Sequence, residues 1–224
     1  MNPLSNVEGV NSDVTPGAAE EPVPHPLATR LAAELAPRTG ARVLILGAGN
    51  GRNVPPLLHA GARVDILEEE PARAIAAMTR FAAQPRVRVT RGRYAGPYPF
   101  AGSFDAALST HALLHGTPAA IGAALTAVRN RLVPGAPLFA TFGSQRDPRY
   151  GRGTAVAPGT FAADSGDEAG VPHAYFDEPA LRALLAGFSV RELGESAASA
   201  GSWAHAVETA ALVHWFALLE RERP

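Results

Sequence analysis

The 224-residue sequence contains no cysteine and no lysine, so all 20 of its basic residues are arginine. Without cysteine there is no disulfide framework, no thiolate nucleophile and no Cys-ligated zinc or iron–sulfur site. Without lysine there is no Schiff base with a carbonyl substrate or pyridoxal phosphate, and no P-loop lysine for a phosphate. Chemistry must rest on His, Asp, Glu, Tyr, Ser, Thr, Arg or a borrowed cofactor. Arginine is always charged and forked, which favours bidentate contacts to oxyanions over proton transfer. Both absences, with the abundant Ala, Gly, Pro and Arg, fit the codon usage of a GC-rich, bacterial genome.

Charge is also scarce, at 18% of residues with a formal net charge of −1. No basic run is present to track a phosphate backbone, so nucleic acid is not an expected partner. Residues 1–21 lack the positive start and apolar core of a secretory signal. Ala106 to Val128 carries no formal charge, but His111, His115, Gly116, Pro118 and Gly122 interrupt it. It reads as a strand, a loop and a helix rather than a membrane span. The expectation is a cytoplasmic protein with no membrane partner, either monomer or homodimer.

The length suits one α/β domain. Residues 1–24, poor in large apolar groups, read as a disordered tail ahead of a single domain over 25–224. Leu27, Leu31 and Leu35 have helical spacing, ended by Pro37. Strands are expected at 42–46, 63–68, 87–90, 104–109, 137–142, 188–192 and 212–219. Helices are expected at 55–59, 70–81, 117–132 and 177–185. Such alternation implies a mostly parallel sheet covered on both faces. The Gly/Pro/Asp-rich stretch 144–176 reads as a long loop, of a length that is usually functional inside a compact domain.

The strongest local signal is Val43-Leu44-Ile45-Leu46-Gly47-Ala48-Gly49-Asn50-Gly51-Arg52-Asn53. A buried strand runs into three alternate glycines and then a helix. Glycines admit positive φ and close approach of a ligand to the backbone, and the helix start is expected to offer free N–H groups. Glu68 ends the next strand. In a doubly wound sheet it faces the same crevice, where a carboxylate can accept hydrogen bonds from both hydroxyls of a ribose. The dinucleotide fingerprint G-x-G-x-x-G wants a third glycine where this chain has Arg52, which counts against NAD.

Gly-x-Gly-x-Gly followed by a strand-end acid resembles motif I and its acidic partner in class I S-adenosylmethionine-dependent methyltransferases. Phe104-Asp105-Ala106-Ala107-Leu108-Ser109-Thr110 is similar to the family's strand beside the methionine part of the cofactor. Arg131-Leu132-Val133-Pro134-Gly135-Ala136 is similar to its "L-x-P-G-G" turn before strand five. The resemblance spans about residues 26–220. It implies a Rossmann-like α/β fold with a seven-stranded sheet of order 3-2-1-4-5-7-6, strand seven antiparallel, and S-adenosyl-L-methionine as cofactor. It implies cofactor-binding roles for Gly47, Gly49, Asn50, Gly51, Asn53, Glu68, Glu69, Tyr94, Ser109 and Thr110. Where relatives often carry an acid for the adenine amino group, Arg91-Gly92-Arg93-Tyr94 has Arg93, which cannot accept that bond.

Asp147-Pro148-Arg149-Tyr150-Gly151 and Gly166-Asp167-Glu168-Ala169-Gly170-Val171-Pro172-His173-Ala174-Tyr175-Phe176 resemble a bacterial subgroup allied to tellurite-resistance and thiol methyltransferases. Read physically, this stretch leaves strand five at the carboxyl edge of the sheet, where a loop can cover a ligand and exclude water. Its contacts to a methyl acceptor are expected from His173, Tyr150, Tyr175 and Arg149, the last able to clamp an oxyanion. His111 and His115 follow strand four on that edge. His111, His173 and Tyr150 are the catalytic candidates, while His115 and His214 read as structural. No metal set is expected. The implied reaction is in-line transfer of a methyl group to a small molecule: a thiol, a chalcogen oxyanion or another small nucleophile. Two alternatives stay open: an NAD-dependent oxidoreductase, and a cofactor- or partner-binding module without catalysis.

Overall fold

The strand β1 (Arg42–Leu46) buries four of its five residues, as a strand with helices on both faces must. The computed structural model describes residues 22–198 and 212–223. The expected tail over 1–24 therefore lies outside the described residues, apart from its last three. Beside β1 run β2 (Arg63–Glu68), β3 (Val87–Arg91), β4 (Ala106–Ser109) and β5 (Pro137–Ser144). β1 pairs in parallel with β2 and β4, β2 with β3, and β4 with β5. Beyond β5 lies β10 (Leu212–Arg221), antiparallel, and beyond it β9 (Phe188–Ala198), antiparallel to β10. The order β3-β2-β1-β4-β5-β10-β9 is the expected seven-strand arrangement, with the last strand inserted between the fifth and sixth.

Successive residues of β1 point to opposite faces, and the two faces have separate cores. Val43 and Ile45 pack with Leu27, Leu31 and Leu57, under α1 (Pro26–Leu35) and α2 (Val54–His59). Leu44 and Leu46 pack with Ile121, Leu125 and Leu181, under α4 (Pro118–Arg131) and α5 (Glu178–Leu184). The helix α3 (Pro71–Arg80) joins the first group through Ala77. Helix starts are marked by local chemistry. The side chains of Glu70, Thr117 and Asp177 accept N–H groups of the first turns of α3, α4 and α5, and each is followed by proline in the first turn or near it. Those are favourable cap and first-turn choices. Among the described residues, no helix is long and apolar enough to cross a membrane.

Residues 144–176 are not the expected irregular loop. They hold β6 (Thr154–Ala157), β7 (Thr160–Ala162) and β8 (Pro172–Phe176). β6 and β7 form a hairpin, β7 pairs antiparallel with β8, and β8 continues parallel to the end of β5. β6 is largely exposed, so it carries no apolar alternation from which a strand could be read. β9 likewise runs six residues past its expected end at Glu192, because β10 supplies partners for that whole length.

The joint between β5 and β8 depends on Gly143, paired with Tyr175. A Cβ there would lie 2.4 Å from the carbonyl oxygen of Ala174. Backbone cannot swing aside as a side chain can. Gly143→Ala is expected to cost about 1–3 kcal/mol, the range for overpacking. Gly194→Ala on β9, where a Cβ would meet nothing within 4 Å, is the matched control. Equal melting temperatures for the two variants would contradict this account of the joint.

Candidate active site

The chain leaves β1 through Gly47, Gly49 and Gly51, whose φ values are +85°, +50° and +78°. A Cβ at Gly47 would lie 2.8 Å from Cβ of Ala112, and one at Gly51 2.7 Å from Cζ of Phe81. Packing therefore demands the outer two glycines. At Gly49 nothing lies within 4 Å, so bare backbone faces open space there, as a close-lying ligand requires.

Glu68, at the end of β2, is buried against this turn. Its Oε2 accepts the N–H of Ala48 at 2.7 Å; its Oε1 accepts the N–H of Glu70 at 3.0 Å and the hydroxyl of Tyr94 at 3.3 Å. A carboxylate has about four acceptor positions, so these bonds leave capacity on Oε2. Burial, and then the neighbouring Glu68 and Glu69 carboxylates, raise the Tyr94 phenol above its ordinary value, which keeps it a donor. Glu69 accepts the N–H of Tyr94 and, with Arg91, Gly92 and Arg93, lines a cleft beside the turn. Asn53 donates to Oγ1 of Thr110 at 2.7 Å and accepts the N–H of His25 at 3.0 Å, tying the entrance of α1 to the end of β4. Asn50 is exposed and accepts the N–H of Arg52 at 3.2 Å. Ser109 is fully buried, and its hydroxyl has no hydrogen-bond partner among the described residues.

The helix after the turn does not offer the expected free N–H groups. α2 begins Val54-Pro55-Pro56. The prolines have no N–H to give, and the N–H of Val54 is bonded to the carbonyl of Gly51 at 3.1 Å. A pyrophosphate would find little to hold it here. Arg52, where a dinucleotide site wants its third glycine, is itself buried.

Five of the described histidines fall into two groups. His111 sits at the end of β4 with φ of +65°, its N–H bonded to Oγ1 of Thr141 at 2.8 Å. Its ring meets those of His25 and His214 edge-on, at 5.4 and 5.2 Å. Arg149 lies 3.2 Å from Nε2 of His214 and makes a forked pair with Asp147, so its guanidinium holds a carboxylate of the protein itself. Burial, followed by the charge of Arg149, lowers His214 to about 4. Burial also lowers His25, to about 3, with Arg52 next in effect.

His173 is buried on β8 and contacts Glu168, as does His115. Hydrogen bonds from His115 and then His173 hold the Glu168 carboxyl well below its usual range. Tyr150 is partly exposed and packs edge-on against Phe161 and Tyr175. The three catalytic candidates, His111, His173 and Tyr150, thus stand in three different clusters. Nothing in the local sequence assigns a role to His25, Asp147 or Glu168. For His25 the only signal was its place immediately before Pro26, at a helix start.

Residues 43–135 match a methyltransferase domain. The described residues have the fold of class I S-adenosylmethionine-dependent methyltransferases. A structure of such an enzyme from Methanosarcina mazei shares 16% identity, covering 84% of this chain and 95% of its own, at TM-score 0.67. The 1,6-didemethyltoxoflavin-N1-methyltransferase of Burkholderia thailandensis, solved with that compound and S-adenosylhomocysteine, shares 24% identity over 88% of this chain and 79% of its own, at TM-score 0.61. The N-methyltransferase NodS of Bradyrhizobium japonicum, solved with S-adenosylhomocysteine, shares 14% identity over 89% of each chain, at TM-score 0.59. No curated protein matches the sequence.

Proposed function

We propose that the protein is an S-adenosylmethionine-dependent methyltransferase acting on a small-molecule acceptor. The observation that carries this reading is the glycine turn itself. It presents bare backbone at Gly49 beside a strand-end acid, yet the helix that follows lacks donors for a phosphate. A cofactor with a ribose and no phosphate suits that arrangement; NAD does not.

S-adenosylmethionine, when bound, supplies a methyl group already activated on a sulfonium. Gly47, Gly49 and Gly51, with Asn50 and Asn53 beside them, shape its seat, and Glu68 accepts from the ribose. The long bond from Tyr94 is the one a ribose hydroxyl would replace. Glu69 stands in the cleft with Arg93 and offers the acceptor that Arg93 cannot, so it is the candidate for the adenine amino group. The orphaned hydroxyl of Ser109 and the neighbouring Thr110 lie at the end of β4, where the family places the methionine portion. Catalysis then rests on alignment and exclusion of water, and orientation can supply as much as about 7–11 kcal/mol. A thiol or chalcogen oxyanion needs little help from a base. An alcohol or amine would use His111 or His173, with Tyr150 positioned to contact the acceptor. The β6–β7 hairpin and β8 form the wall over that edge. The 1,6-didemethyltoxoflavin bound in the Burkholderia relative supports an acceptor of modest size, and the motif at 166–176 favours the thiol and chalcogen group.

Calorimetric titration with S-adenosylhomocysteine should show one site, while a fluorescence titration with NADH should show none. The opposite pattern would overturn the proposal. Binding without methyl transfer to any of a broad acceptor panel would instead identify a binding module.

A further inference from the structure

Three potential ligand atoms outside the glycine turn stand together at the carboxyl edge of the sheet. Nε2 of His173 lies 3.0 Å from Oε2 of Glu168, and Nε2 of His115 lies 3.4 Å from Oε1 of the same carboxylate. All three ligand positions fall within 4.8 Å of one another. The backbone holds them there. Ala174 donates to the carbonyl of Leu114 at 2.9 Å and Gly116 to that of Pro172 at 2.7 Å, which clamps the segment after β4 onto β8. His115 and His173 are the bridged pair at the centre of that clamp, their rings edge-on at 4.7 Å.

The other ring nitrogen of His173 defines what Nε2 can do. Nδ1 lies 2.9 Å from the carbonyl oxygen of Val171. A carbonyl only accepts, so Nδ1 carries the ring proton. That bond fixes the ring so that Nε2 faces the Glu168 carboxylate, 3.0 Å away. His115 directs a second nitrogen at the same carboxylate.

We propose that His115, Glu168 and His173 form a binding site for a divalent first-row transition-metal ion, with zinc the best match. Two imidazoles and a carboxylate are ligands that zinc accepts, and bonds of about 2.0–2.2 Å at tetrahedral angles place ligand atoms about 3.3–3.6 Å apart. The His–Glu separations of 3.0 and 3.4 Å need only a small adjustment to admit the ion. The Val171 carbonyl is the outer partner that orients a metal-bound histidine. Three protein ligands leave one position for water or a donor atom of a substrate. His115 and Glu168 are partly exposed, so that position is reachable from solvent. The ligands are separate from the cofactor seat at the glycine turn, so cofactor binding and metal binding are tested separately.

The test is calorimetric titration of the chelator-treated full chain with Zn2+, alongside visible absorption of the Co2+ form, which reports coordination number. One ion per chain and a four-coordinate cobalt spectrum are expected. His115→Ala, His173→Ala and Glu168→Gln should each weaken Zn2+ binding by at least about 10–100-fold, the loss seen even for outer-shell partners. His59→Ala, which removes an exposed histidine elsewhere, should leave it unchanged. Circular dichroism melts identify any variant that fails to fold, and Glu168→Gln, which preserves shape, keeps the comparison decisive. Absence of Zn2+ binding by the wild type, or undiminished binding by all three variants, overturns the site. If S-adenosylhomocysteine still binds in that case, the methyltransferase reading survives it.

Discussion

Glu68→Ala is expected to weaken S-adenosylhomocysteine binding by about 100-fold. Each hydrogen bond from a ribose hydroxyl to a carboxylate contributes about 1.5–3 kcal/mol. Losing two removes at least about 3 kcal/mol, and each 1.4 kcal/mol is tenfold in affinity. The substitution also removes the acceptor for the N–H groups of Ala48 and Glu70 and the hydroxyl of Tyr94. A buried donor left unsatisfied costs about 1–3 kcal/mol, so the melting temperature should fall as well. Titration must therefore be done well below the variant's transition. Glu68→Gln separates the two effects. Its amide oxygen can still accept from Ala48 and hold the turn, while the charge on the ribose contacts is lost. Its amide nitrogen cannot accept from Glu70, so it should melt between Glu68→Ala and the wild type and bind about tenfold more weakly. Affinity retained within twofold by Glu68→Ala would remove this residue from the cofactor site.

Acidification from pH 6.5 to 5 should destabilise the fold by about 3–4 kcal/mol through two buried histidines alone. In the folded chain His25 uses Nδ1 to accept the N–H of Leu27 at the start of α1, a role a protonated nitrogen cannot play. His214 faces the guanidinium of Arg149, which can only donate, so its Nε2 must accept. Both rings are therefore neutral, with values lowered to about 3 and about 4. The unfolded chain binds protons near pH 6.5. Above that pH neither state is protonated and stability is complete. Below it the unfolded state takes up protons that the folded state refuses, and stability falls until the folded values are reached. At about 1.4 kcal/mol per unit for each group, the two together give the stated loss. Urea denaturation at pH 7.5, 6.0 and 5.0 measures it. His25→Asn, which retains a side-chain acceptor for the cap, should roughly halve the slope. Stability independent of pH over that range would contradict the neutral, buried state of both rings.

The parallel half of the sheet was legible in the residues. β1 and β2 have the bounds expected of Arg42–Leu46 and Arg63–Glu68: β1 is an apolar run ended by Gly47, as a strand buried on both faces is, and β2 sets Val64, Ile66 and Leu67 around Asp65 before the acids from Glu68 on. The glycine turn and Glu68 were legible for a related reason: positive φ and a strand-end acid are properties of local sequence. The prolines that close the start of α2 to phosphate were equally plain in Pro55 and Pro56. Their consequence emerged only with the N–H of Val54 bound to Gly51. What could not be read was pairing at a distance. Nothing local distinguishes an exposed strand such as β6 from a loop, since its stability comes from its partner β7.

The sequence alone thus determined the alternation of strands and helices, the place and shape of the glycine turn, and the acid that faces it, since all three follow from short-range periodicity and backbone freedom. Only the tertiary structure decided which histidines meet. His25, His111 and His214 are far apart in the chain yet share one cluster, and His115 reaches His173 across the clamp between two strands. Side-chain neighbours across a sheet are set by strand order and register, which no single stretch of sequence encodes.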